Sequence, residues 1–197
     1  MPKISAPSVA EHHAAQERAL LDAARELLRE TGQAPAMADV AARAGLARSS
    51  VYQYFSSRQD LLRGVVQDVF PRWTRRITDA MERAGSPADA VMAYALSNLD
   101  LVAEGEHAVG AALAGLAPGQ ELNEQARAMH QRIGEPLTEA LERLDVPDPA
   151  AVAALVNAVV HAATRMLESG DDHAAVSARV SALLGPFARE HGAGTAR

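Results

Sequence analysis

The sequence predicts an all-α protein, and three observations carry that prediction. Apolar residues recur at three- and four-residue spacing along most of the chain, the period of one face of a helix. Apolar and polar residues do not alternate over any run that reads as a strand. Glycine, proline and capping residues separate the apolar stretches in the order in which helices stop and start, as at Ser86-Pro87 and Asp148-Pro149. This punctuation fits about nine helices, three in an N-terminal head and the rest in a helical body. The expected boundary divides residues 1–56 from residues 57–197.

Residues 1 to about 11 hold two prolines with Ser and Ala and no helical period, so an unstructured arm is expected there. A first helix follows from about Glu11 to Thr31. Leu20, Ala24, Leu27 and Leu28 form its apolar stripe, Arg18, Asp22, Arg25 and Arg29 its wet face, and Gly32 ends it. The second helix starts near Met37, after Pro35. Ala36 has no side-chain oxygen to offer its first N–H groups, a loss of about 1 kcal/mol. Val40, Ala41 and Ala44 share one face of this helix, and Gly45 ends it, because glycine takes a left-handed cap without a Cβ penalty. Leu46 is the buried residue of the turn. In the third helix Val51 and Phe55, at i and i+4, face the same core. Arg48, Ser49, Ser50, Tyr52, Gln53 and Tyr54 are left pointing outward. They are donors and planar rings with no acid among them, the set that suits phosphates and base edges in a DNA major groove.

The run ADVAARAGLARSSVYQYFSSRQDLL, preceded by RALLDAARELLRETG, closely resembles the DNA-binding core of the TetR family of bacterial repressors. The resemblance covers roughly the first third of the chain. It implies a helix-turn-helix head, a helical effector-binding body, and a homodimer formed by a bundle of the last two helices of each subunit. Two recognition helices about 34 Å apart, or a multiple of that, would read a palindromic operator. The resemblance assigns DNA contacts to Arg48, Ser49, Ser50, Tyr52, Gln53 and Tyr54. Arg58, at the family's usual lysine position, would meet a phosphate through its side chain and the helix N-terminus. Ala36 and Ala47 depart from the family, which usually has Ser or Thr at the first position and Ser at the second; the resemblance therefore does not carry over the few phosphate contacts that such hydroxyls can make, and the fold is unaffected.

Ser57 is placed to cap a fourth helix, about Ser57 to Arg83, with Asp60 completing an approximate capping box. Val65, Val66, Val69, Phe70 and Trp73 give it an apolar side. Pro71 predicts either a kink serving as a hinge or a break at Phe70. Ser86-Pro87 opens a helix to about Val102, and a short one follows near Glu106 to Leu113, broken by GLAPGQ. The next spans about Gln120 to Leu144, bent by Gly134 and Pro136. Asp148-Pro149 opens another, which runs to Ser169-Gly170. Asp171 or Asp172 caps the last, which ends near Gly185-Pro186 or, kinked, near Glu190. Val152, Leu155, Val156, Val159, Val160 and Ala163 on one of these two helices, and Val176, Val180, Leu183, Leu184 and Phe187 on the other, need covering by their own domain or by a second copy.

No motif marks an effector site in the body. Trp73, Met92, Tyr94, Met129 and Ile133 are pocket candidates because the resemblance implies a pocket; by spacing alone they read as plain core. Asn157, His161, Thr164 and Arg165, at i, i+4, i+7 and i+8, form a polar row that lines either a cavity or, as we favour, the dimer seam. Asp100, Glu104 and Glu106 mildly suggest a lipophilic cation as effector, but solvated acids are their ordinary explanation.

The net charge of −6 is unevenly spread: residues 1–60 hold seven basic and seven acidic side chains, so the later part carries all of it. Four arginines, at 43, 48, 58 and 63, stand against the single acid Asp60 in residues 43–63, a local positive charge of the kind phosphate attracts. The absence of cysteine removes disulfides, thiol catalysis and Cys-based zinc sites. His107, His130 and His161 lack metal-ligand spacing, and no GxSxG, GxGxxG or P-loop occurs, so neither an enzyme nor a metal site nor a cofactor is expected. The start of the chain lacks the layout of a signal peptide, and no apolar run reads as long enough to cross a membrane, which predicts a cytoplasmic protein. Two alternatives stand beside the repressor. One is a helical ligand-sensing or protein-interaction module without specific DNA binding; the other is a TetR-like activator.

Overall fold

The computed structural model of the chain describes residues 9–106, 109 and 120–192. Among the described residues there are eight α-helices and no strand: α1 (Val9–Thr31), α2 (Met37–Arg43), α3 (Arg48–Val51), α4 (Arg58–Glu82), α5 (Pro87–Ala103), α6 (Gln120–Arg143), α7 (Pro149–Glu168) and α8 (His173–Gly192). The chain is all-α, as its periodicity predicts. The short helix expected near 106–113 and the arm before residue 9 fall, in whole or in large part, outside the described residues. Two compact units make up the chain, Met1–Val69 with Ala108–Leu122 and Phe70–His107 with Asn123–Arg197.

In the first unit α1 packs on α2 and α2 on α3. Leu20, Ala24 and Leu28 from α1, Val40 and Ala41 from α2, and Val51 and Phe55 are all buried. The turn after α2 is the one that Gly45 dictates. Its φ is +69°, and Leu46 N–H donates to Ala41 O at 2.9 Å to satisfy the helix end. Leu46 itself is half-buried.

Gly64 on α4 is required for another reason, close approach. A Cβ there would lie 2.8 Å from Phe55 Cε1 and 3.1 Å from Leu21 Cδ2. Gly64→Ala would gain about 1 kcal/mol of helix propensity against roughly 1–3 kcal/mol of overpacking on a buried ring. We therefore expect net destabilisation of about 1 kcal/mol, read as a lower urea midpoint. An unchanged or higher midpoint would show that Phe55 moves aside freely.

α4 runs unbroken through Pro71, so the helix does not end at Phe70. Pro71 lies on the exposed side, and one turn on, Thr74 Oγ1 donates back to Phe70 O at 3.0 Å. α6 likewise continues through Gly134 and Pro136, and α8 through Gly185-Pro186.

In the second unit α5 packs against both α7 and α8, which also pack on each other. Val91 and Leu99 of α5, Leu137 and Leu141 of α6, Val156 of α7 and Val176 of α8 belong to one buried cluster. The predicted caps form. Ser86 Oγ accepts from Asp89 N–H at 3.1 Å, and Asp148 Oδ1 accepts from Ala151 N–H at 3.1 Å. Of the two candidates for α8, Asp172 makes the cap, accepting from Ala175 N–H at 2.9 Å.

By length and composition α7 would suit a bilayer, contrary to the expectation that no run is so apolar. It carries Asn157, His161 and Arg165 within its span, groups that are costly in lipid. Ala153, Val156, Val160 and Ala163 of α7 are buried in the unit. The opposite side is open: Leu155 of α7 and Leu183 of α8 are 66% and 61% exposed.

Candidate DNA-binding interface

α3 is a single helical turn, extended by hydrogen-bonded turns to Phe55, whose N–H donates to Val51 O at 2.9 Å. Buried Val51 and Phe55 anchor it from beneath. Neither Ala36 nor Ala47 makes a side-chain cap at the start of α2 or α3. Arg48, Ser49, Tyr52 and Gln53 are exposed and Ser50 half-buried. Their spacing, i, i+4 for Arg48 with Tyr52 and for Ser49 with Gln53, gathers them into one strip. Tyr52 is 48% exposed, a large ring presented to solvent.

Tyr54 is placed differently from its neighbours. It is half-buried against α1, donates its hydroxyl to Gln16 Oε1 at 2.5 Å, and packs its ring on His13 with centroids 4.4 Å apart. Arg58 is exposed, and its guanidinium donates to the carbonyl of Ala34. The capping box at α4 is shifted by one residue. Asp60 N–H donates to Ser57 Oγ at 3.1 Å, while its carboxylate accepts from the N–H and hydroxyl of Ser56, at 2.8 and 2.9 Å, instead of reaching back to Ser57.

Those bonds, with Arg63 nearby, hold the Asp60 carboxyl below its ordinary range, the Ser56 N–H contributing most. A depressed folded pKa means that this contribution to stability is complete above the unfolded value of about 3.9 and is lost as pH falls through the folded value. Asp60→Asn should therefore be less stable than wild type at pH 7, and the gap should close as the pH drops below 4. Urea midpoints of both proteins across pH 3–7 check this. A constant gap would remove Asp60 from the acid response.

Charge on the head is more sparing than the arginine count implies. Arg43 is committed to α1, donating to Glu30 at 2.8 and 2.9 Å and to Glu26 at 3.2 Å. The bond to Glu30 chiefly raises the Arg43 pKa, and the same bond lowers that of Glu30. Arg63 lies 3.6 Å from Asp60. Arg48 and Arg58 thus remain as the cations on the strip and beside it. Sequence reasoning missed Gln16, His13, Glu26 and Glu30 as supports of the head. The acids at 26 and 30 were visible as one face of a helix, but not the arginine that they hold.

In the second unit the pocket candidates are dispersed. Ile133 is buried in the cluster, Met92 is half-buried against it, and the side chain of Met129 lies outside the described residues. Trp73 stacks on Phe70 at 5.5 Å and donates Nε1–H to Glu106 at 3.2 Å. Tyr94 donates its hydroxyl to Asn157 Oδ1; burial pushes its pKa up to about 12, so it stays a neutral donor. The acids that suggested a cationic effector are engaged, Glu104 with Arg76, Asp100 with His173 at 3.0 Å and Glu106 with Trp73. An open groove of about 600 Å³ lies between α6 and α7, lined by Gln131, Gly134, Glu135, Thr138, Glu139 and Glu142 on one side and Ala150, Ala153, Ala154 and Asn157 on the other. Of the polar row, Asn157 borders this groove, Thr164 is buried, and His161 and Arg165 are exposed.

Residues 20–65 match the family described as bacterial regulatory proteins, tetR family. Over 85 residues the chain is 40% identical to the HTH-type transcriptional repressor LfrR of Mycolicibacterium smegmatis, a match covering 43% of this chain and 44% of that protein. The aligned part thus spans less than half the length of that curated relative. Among solved structures, the TetR-like transcriptional regulator LfrR from Mycobacterium smegmatis in complex with proflavine is similar at a TM-score of 0.59 and 25% identity, over 86% of this chain and 95% of that one. AibR in complex with isovaleryl coenzyme A and operator DNA has a TM-score of 0.67 at 16% identity, over 84% of this chain and 96% of that one, a likeness of fold.

Proposed function

The chain belongs to the tetR family of bacterial regulatory proteins, and from that premise we propose that it is a ligand-responsive repressor that binds a palindromic operator as a homodimer. One observation carries this reading: an exposed, acid-free strip of Arg48, Ser49, Tyr52 and Gln53 on a helix-turn-helix head. Arg48 and Gln53 have the donors for base edges, while Ser49, Ser50, Tyr52 and Arg58 suit phosphates. Tyr54, whose hydroxyl donates a hydrogen bond to Gln16, braces the end of the turn against α1. The open sides of α7 and α8, with Leu155 and Leu183 exposed, support dimerisation through the last two helices. A small-molecule effector bound in the body would act only through its different affinity for two spacings of the paired heads. Such a protein works in the cytoplasm and carries out no catalysis.

Fluorescence anisotropy with DNA from upstream of its own and neighbouring genes, and with fragments selected from the genome, tests the proposal. Tight, salt-dependent binding to one palindrome with two protomers per site is the expected result. Binding to every fragment no better than to scrambled DNA would favour a ligand-sensing or protein-interaction module, the reading that the uncapped starts of α2 and α3 support.

A further inference from the structure

The open side of α7 changes character along its length. Its first half presents Ala151, Ala154, Leu155 and Ala158, all exposed, and its second half presents His161 and Arg165. Beside the first half runs the groove whose α6 wall carries Glu135, Glu139 and Glu142. Neither Arg165 nor any of these three acids has an ion-pair partner among the described residues. One end of the helix face is therefore alanine beside unpaired acid, and the other end carries Arg165, with exposed Glu168 one turn further on.

The exposed positions are symmetric about Ala158: Arg165 and Ala151 lie seven residues to either side of it, His161 and Leu155 three. From the dimer reading above, and resting on it, we infer that two copies of α7 cross antiparallel with the two-fold axis at Ala158. Each Arg165 then enters the other copy's groove against Glu139 and Glu142. Seven residues of helix amount to about 10.5 Å, so Arg165 of one copy stands opposite Ala151 of the other, at the mouth of that groove. Small residues at the crossing allow the close helix spacing that this requires, about 8 Å. Such a contact is self-complementary, as a two-fold interface must be. A parallel pairing would instead set Arg165 against Arg165 and acid beside acid. Charge of this kind fixes register and partner more than it adds affinity.

The chain's lack of cysteine makes the test clean. Ala158→Cys is expected to form a disulfide-linked dimer on mild oxidation, since the two thiols meet at the axis within the ~7 Å Cα separation that a disulfide tolerates. Ala151→Cys should not link to itself, its two copies standing about 21 Å apart. Arg165→Glu should weaken the dimer, followed by sedimentation, by about tenfold or more. Glu139→Arg and Glu142→Arg added to the same chain should recover most of the loss, with helix content unchanged by circular dichroism. A dimer that links through residue 151 alone, or one indifferent to the charge reversals, overturns the register but leaves the dimer standing. A chain that stays monomeric at every concentration, and on DNA, overturns the dimer reading itself.

Discussion

Replacing Arg48 with alanine is expected to lower affinity for the operator by about 10- to 100-fold, equivalent to roughly 1.5–3 kcal/mol. Arg48 opens α3, is exposed, and lies one helical turn from exposed Tyr52. Its loss removes a charge-assisted donor without disturbing the buried Val51 and Phe55 beneath, so thermal stability should stay at the wild-type value. Anisotropy over a range of salt separates two roles. A contact to phosphate reduces the slope of log affinity against log salt by about 1, whereas a contact to a base edge relaxes discrimination at one position of the site. Arg43→Ala is the informative control. Its guanidinium is held by Glu26 and Glu30, so the salt slope should not change. Full operator affinity in the Arg48→Ala protein would withdraw that residue from the interface.

The second large effect is expected in the body. Leu99 is fully buried on α5, the helix on which both α7 and α8 pack. Truncating it to alanine removes the side chain's transfer free energy and leaves a cavity that the surrounding cluster collapses into only in part, a cost of about 2–5 kcal/mol. Urea denaturation at a fixed protein concentration is the appropriate measurement, because assembly contributes to the apparent stability of a dimer. A cost under about 1 kcal/mol would mean that the cluster around Leu99 is far more plastic than close packing allows.

What could be read from the sequence was local. Gly45 announced its turn because left-handed backbone is nearly a glycine property, and Ser86, Asp148 and Asp172 announced helix starts because a cap involves residues three apart. Val51 and Phe55 were assigned to the core by spacing alone, and both are buried. The features that stayed illegible join positions distant in the chain. Tyr54 carries the same outward label as Tyr52 by spacing, yet a partner 38 residues earlier draws it onto α1. Arg43 counts as free positive charge until Glu30, 13 residues away, is seen to hold it. Pro71 leaves both a kink and a break open, because the lost hydrogen bond and the clash with the carbonyl four residues earlier are the same local cost in either case, and only tertiary structure decides that the helix continues. The pocket candidates rest on the resemblance alone, because size and softness are properties that core and pocket share. Trp73 and Tyr94 turned out to carry polar partners that composition could not assign.

If a second copy covers the open side of α7, as proposed, the response to gene dosage changes. A chain whose folded surface is completed only by its twin has an active form that varies with the square of its own abundance when copies are few. Halving expression would then cut the operator-competent species about fourfold. A promoter governed by such a protein would respond to the dose of its regulator more steeply than in proportion, before any effector is present.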